Sequence, residues 1–156
     1  MKSLVVILAI VFASAAAQAQ TPRSKPSVES CLVASKAKPN TDACIGVTSN
    51  PCIGPDEGAK RDSEVIACLD DEQKQWDKVL NASFQALIKG LEPEQQIKLR
   101  EMQRIWLQSR AATCQFYFDY FDGTMANPMI ANCLNRETAR RAIFLKGFAD
   151  GMAQRK

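Results

Sequence analysis

Six cysteines and no histidine constrain this chain more than any other feature of its sequence. The cysteines are Cys31, Cys44, Cys52, Cys68, Cys114 and Cys133, and no two of them form a C-x-x-C pair. Zinc ribbons and thioredoxin-type redox sites therefore lack their motifs. The N terminus suggests where such a chain resides. Lys2 precedes an apolar run from Leu4 to Val11, extended by Phe12 and small residues to Ala17, and Ala17-Gln18-Ala19 has the small-residue pattern that signal peptidase cuts. A charged start, short apolar middle and small-residue end make a secretory signal peptide, and the run falls short of the roughly 20 apolar residues of a membrane span. Residues 1–19 are thus expected to be a signal peptide, with the mature chain starting near Gln20, no membrane anchor, and a periplasmic or secreted product. In that compartment an even number of cysteines is expected as disulfides.

The formal charge of +3 falls to +2 once Lys2 is removed. That near-neutral balance gives no reason to expect nucleic acid or a membrane surface as partner. With no histidine, serine chemistry lacks its usual base, and no S-x-x-K stands with a supporting motif. Paired carboxylates do not converge either: Asp70, Asp71 and Glu72 are consecutive and read as solvated surface charge, as do Asp119 and Asp122. No catalytic residue, cofactor or metal is expected.

Residues 20–27 are polar with two prolines and read as a disordered leader. Residues 28–62 form a cysteine-rich N-terminal segment, punctuated by Pro39-Asn40, Asn50-Pro51 and Gly54-Pro55, with short helices expected over Val28–Lys38 and Thr41–Ser49. Residues 63–150 are expected to form the main helical domain. Ser63 is a candidate cap, and Leu69, Trp76, Leu80, Phe84 and Leu87 then trace one apolar stripe that ends at Gly90. A second helix opens at Pro93 and runs to about Tyr120, with Leu99, Met102, Trp106, Arg110 and Cys114 along its inner face. A third opens with Asn127 as cap and Pro128 as first residue. Cys133, Glu137, Arg141 and Leu145 share one face, Phe144 and Phe148 widen it, and fraying is expected from Gly151. The fold class is all-α: a small disulfide-stabilised bundle of three main antiparallel helices with a short helical, cysteine-rich N-terminal segment.

Antiparallel packing of the second and third helices brings Cys114 to Cys133. A bond there closes a loop worth about 3 kcal/mol. One turn further, Arg110 is expected against Glu137 as an ion pair; a second turn brings Trp106 to Arg141, with the guanidinium stacked on the indole. Spacing suggests local pairing of Cys31 with Cys44 and Cys52 with Cys68, with crossed pairings left open. Between the two helices runs QFYFDYFDGTMANPM, residues 115–129. Its aromatics cannot all face one core. Phe118, Tyr120, Phe121, Asp122, Thr124 and Met125 are therefore candidate partner-binding residues.

The region Cys68–Leu145 resembles the N-terminal domain of the LprI-type lysozyme inhibitors. The residues carrying the resemblance are Trp76-Asp77-x-x-Leu80-Asn81-x-x-Phe84, then Leu99-x-x-Met102-Gln103-x-x-Trp106-Leu107-x-x-Arg110-x-x-x-Cys114, then Gly123-Thr124, Pro128, Cys133 and Thr138-x-x-Arg141-x-x-x-Leu145. Ser109, Ala111 and Phe84 depart from the family pattern, which has an aromatic, an aspartate and a tyrosine there. With no aspartate at Ala111, Glu137 or Asp77 becomes the candidate partner of Arg110. Asp77, Asn81, Arg110, Glu137 and Arg141 are expected as structural polar residues. The resemblance implies an exported, helical, non-enzymatic binding protein whose partner is a protein, with lysozyme the candidate. A periplasmic envelope protein with another protein partner is the main alternative, and a hydrolase the weaker one. The sequence leaves the oligomeric state open.

Overall fold

The computed structural model describes residues 26–35, 41–55, 60–121 and 123–155. The expected signal peptide and most of the expected leader lie outside them. The elements are α1 (Val28–Ala34), a 3-10 turn (Thr41–Cys44), α2 (Ser49–Ile53), α3 (Asp62–Gly90), α4 (Pro93–Tyr120), a second 3-10 turn (Gly123–Met125) and α5 (Ala126–Ala153). The all-α expectation holds: three long helices pack together beneath short N-terminal helices. Among the described residues, no helix is long and apolar enough to cross a membrane.

The long helices begin where local chemistry satisfies their free amides. In α3 the cap is Arg61 rather than Ser63: the Glu64 carboxylate accepts the Arg61 backbone N–H at 3.0 Å. Asp62 and Glu64 in that first turn suit the positive end of the helix dipole. Pro93 opens α4 as expected, and the Gln95 side-chain oxygen accepts the Glu92 amide. The third helix begins one residue before the expected cap. A 3-10 turn leads directly into Ala126, so Asn127 and Pro128 are already helical. At the other end α5 continues through Gly151 to Ala153 instead of fraying, because Met152 packs against the core.

The core lies between α3 and α5, which pack along most of their length. Trp76, Leu80 and Leu87 of α3 meet Ala139, Ala142 and Leu145 of α5, and Val28 and Leu32 of α1 close the layer. A smaller cluster of Ile53, Cys68, Leu69 and Ala131 fills the far end. The alanines explain one departure from expectation. They let the helices approach closely, and that contact rotates Phe144 and Phe148 out to solvent. By contrast, α4 rests on α5 and barely touches α3. It buries only Leu99 and Cys114, while Met102 turns outward.

All six cysteines are paired: Cys31–Cys44, Cys52–Cys68 and Cys114–Cys133, with Cα separations of 5.7, 5.8 and 5.5 Å. The N-terminal segment gains a second fastening from one carboxylate. Glu72 is fully buried. Its oxygens accept backbone N–H groups from Gly46 at 2.7 Å, Thr48 at 2.9 Å and Ser49 at 2.8 Å, the Thr48 hydroxyl, Trp76 Nε1 and Asn135 Nδ2. Successive amides converging in this way form an anion-binding concavity. Gly46 makes the turn at φ 91, a backbone shape that side chains disfavour, and a Cβ there would collide with Asn50. Residues 45–48 consequently form a loop around Glu72, not the helix expected over Thr41–Ser49. Burial alone would raise the Glu72 pKa, but the hydrogen bonds from Ser49, Gly46, Thr48 and Asn135 outweigh it and hold the group down at about 2.

Candidate functional site

The chain reverses from α4 into α5 at an aromatic tip. Phe116, Phe118 and Tyr120 are exposed there, as are Thr124 and Met125, and Phe121 is half-buried. The rings lean on one another: Tyr120 meets Phe121 edge-on with centroids 5.0 Å apart, Tyr117 stacks on Phe121 at 6.2 Å, and Phe116 sits 6.0 Å from Tyr120. Gly123 turns the chain at φ 79, which only glycine adopts readily. Phe118, Phe121, Gly123, Thr124 and Asn127 line a shallow groove of about 300 Å³. Asp122, the remaining candidate, lies outside the described residues. The surface is apolar, shaped and open, which suits it to receive a protein partner.

Two layers of interactions hold the tip in place. The Cys114–Cys133 disulfide ties α4 to α5 just below the aromatic cluster. Beneath it lies a polar layer centred on Trp106. The guanidinium carbon of Arg110 is 4.7 Å from the Trp106 ring centroid and that of Arg141 is 5.5 Å from it. Arg141 also lies 5.3 Å from the Phe144 ring and donates to Gln103 Oε1 at 2.9 Å. Burial pushes the Arg141 pKa down. The expected register is therefore present, and Arg141 stacks on Trp106 as anticipated. The expected ion pair is not. Arg110 donates from Nη1 to Thr138 Oγ1 at 2.7 Å, while Glu137 pairs with Arg140 on its own helix at 2.7 Å. A neighbour three residues along the same helix reaches Glu137 more readily than a side chain from across the interface.

The other sequence candidates divide. Asp77 is half-buried on α3 and forms no ion pair with Arg110, and Asn81 is exposed, one residue round the helix from buried Leu80. Neither stands in the polar layer. Sequence reasoning missed Glu72, which it read as surface charge. A signal was present: Glu72 lies three residues after Leu69 and four before Trp76, on the buried stripe itself. Among the described residues, no three histidine, cysteine, aspartate or glutamate side chains are grouped so that they could hold a metal ion.

Residues 52–145 match the family model described as lysozyme inhibitor LprI. The chain belongs to the LprI family. The match takes in the Cys52–Cys68 bond, the Trp106 layer and the whole aromatic tip. It leaves out α1 and the Cys31–Cys44 bond, which stand as an N-terminal addition to the LprI unit. No curated protein matches the chain. Among solved structures, an uncharacterized protein from Burkholderia thailandensis is similar at 26% identity and a TM-score of 0.56. The alignment covers 70% of this LprI chain and 55% of the other, so this chain spans about half the length of that relative.

Trp106 is the keystone of the polar layer. Trp106→Ala would remove the surface on which two guanidiniums rest, and is expected to lower stability by about 2 kcal/mol in urea unfolding at neutral pH. An unchanged midpoint would remove the layer's structural role.

Proposed function

We propose that this protein is an exported, non-enzymatic inhibitor that engages a lysozyme through the aromatic tip between α4 and α5. The observation that carries this reading is the exposed end of the tip, where Phe118 and Thr124 line the groove beside Met125, above the Cys114–Cys133 bond. Aromatic anchors on a rigid support are the usual centre of a protein-binding hot spot. Family membership points to the partner class. Three disulfides support an extracytoplasmic location, where lysozymes act. Among the described residues, the one deeply buried carboxylate, Glu72, gives no support to a hydrolase. Both its oxygens are engaged and it stays ionised, so it has no proton to give as a general acid.

The test is a panel of c-type, g-type and i-type lysozymes assayed with the oxidised protein at micromolar concentration. At least one should be slowed. Phe118→Ala and Met125→Ala, both at exposed positions, should each weaken inhibition by about tenfold with helical content unchanged. If none of the three classes is slowed, lysozyme is not the partner.

A second reading, an envelope protein bound to a different protein partner, has its own support. Phe144 and Phe148 pack edge to face, 5.0 Å apart, and are exposed on α5 well away from the tip. Capture from envelope extract that survives Phe118→Ala but is lost on Phe148→Ala would favour it.

A further inference from the structure

One face of α4 has no partner among the described residues, and its pattern is that of a helix that pairs. Met102, Ile105, Ser109, Ala112 and Phe116 recur at alternating steps of three and four residues, and all are exposed. Lys98 and Asp119 continue the same line at either end. This seam lies roughly a third of the way round the helix from the Leu99–Trp106–Cys114 line that meets α5. Ile105 is 52% exposed and Phe116 62%. A seam repeating every 3.5 residues is the signature of two helices packed side by side.

We infer that the protein self-associates through this face, with α4 of one copy antiparallel to α4 of a second. The seam is complementary to itself in that direction. With the two-fold axis beside Leu107, Met102 falls against Ala112 of the second copy and Ile105 against Ser109. Phe116 lies over the Lys98 stem and ammonium, and Asp119 beside Gln95. Each large side chain meets a small or flexible one, as knobs-into-holes packing requires. At the flanks Gln108 meets its own copy and Glu101 meets Gln115, so no like charges face each other. A parallel pair would instead stack Lys98 on Lys98, Asp119 on Asp119 and Phe116 on Phe116. The exposed parts of Met102, Ile105, Phe116 and neighbouring Tyr120 amount to about 800 Å² over two copies, before the small residues and charged stems are added. That approaches the roughly 1,000 Å² of a specific interface. The arrangement leaves Phe118, Thr124 and Met125 free at two opposite ends, roughly 40 Å apart.

Sedimentation equilibrium of the oxidised chain tests this. The wild type should be dimeric at about 100 µM, and Ile105→Glu should weaken association by at least tenfold. Ser109→Arg, at an exposed position where folding is not at stake, should do the same. Ile97→Glu, exposed on α4 but off the seam, should leave the dimer intact. A wild type that stays monomeric overturns the proposal, as does dimerisation of Ile105→Glu and Ser109→Arg at wild-type strength. Inhibition of lysozyme per chain should be unchanged in Ile105→Glu, so failure of the dimer and failure of the proposed function are read separately.

Discussion

Glu72→Ala is expected to destabilise the protein by about 4 kcal/mol, more than any other single substitution considered. The change leaves the buried Gly46 and Ser49 amides, the half-buried Thr48 amide, the Trp76 indole N–H and the Asn135 amide without their shared acceptor. Orphaning a buried donor costs its full desolvation. The same change removes the acceptor that fastens the Gly46–Ser49 loop to α3, leaving the N-terminal segment held by the Cys52–Cys68 bond, the Gln75 hydrogen bonds and its core packing. Glu72→Gln keeps one acceptor but turns an NH2 group toward other donors, and should lose about 2 kcal/mol. Urea unfolding at pH 7 measures both, and an alanine variant within about 1 kcal/mol of wild type would contradict the account. The pH dependence follows from the same geometry. The folded-state pKa is about 2, against 4.5 for the ordinary group. A depressed carboxylate pKa contributes stability that is complete above the unfolded value and fades as pH falls toward the folded one. Glu72 should therefore contribute about 3 kcal/mol above pH 5 that is lost on approaching pH 2. The gap between wild type and Glu72→Gln should narrow over that window.

Periodic features of this fold were legible in the sequence, and long-range features were not. The Leu69–Trp76–Leu80–Leu87 stripe and the Pro93 start could be read because a helix fixes which residues share a face. The Cys114–Cys133 pairing followed because antiparallel helices place those positions together, and the same register brought Arg141 to Trp106. Glu72 escaped because its environment is assembled from the 46–49 loop and from Asn135, far away in sequence. The Arg110–Glu137 pair failed because the register brought the right turns together but did not rank competing partners on one helix. The outward turn of Phe144 and Phe148 depended on how closely α3 and α5 approach, which the alanines of α5 decide and hydrophobicity alone does not. At the candidate site, the aromatic excess of residues 116–121 was visible as more apolar surface than one helix can bury. Which rings stay outside became clear only once Tyr117 and Phe121 were seen turned inward.

Removing the Cys114–Cys133 bond with paired serines should separate stability from binding. Its loop spans 19 residues, so the chain-entropy model assigns about 3 kcal/mol to it. The loss should not fall evenly. Below the bond, Arg110 still reaches Thr138 and Trp106 still packs against two guanidiniums, so the body of the α4–α5 pair keeps its contacts. Above it, the exposed rings and the turn at Gly123 have little burial of their own, and segments of that kind open first. An opened tip must be re-ordered when it binds, and that ordering is subtracted from affinity. Lysozyme inhibition should therefore fall by at least about tenfold at temperatures where helical content is still native. Cys31→Ser with Cys44→Ser is the control, because that bond ties α1 to the turn before the Glu72 loop and lies outside the family match. It should lower the melting temperature and leave inhibition of the folded protein unchanged. Equal loss of inhibition in both variants would mean that the tip is not the binding surface.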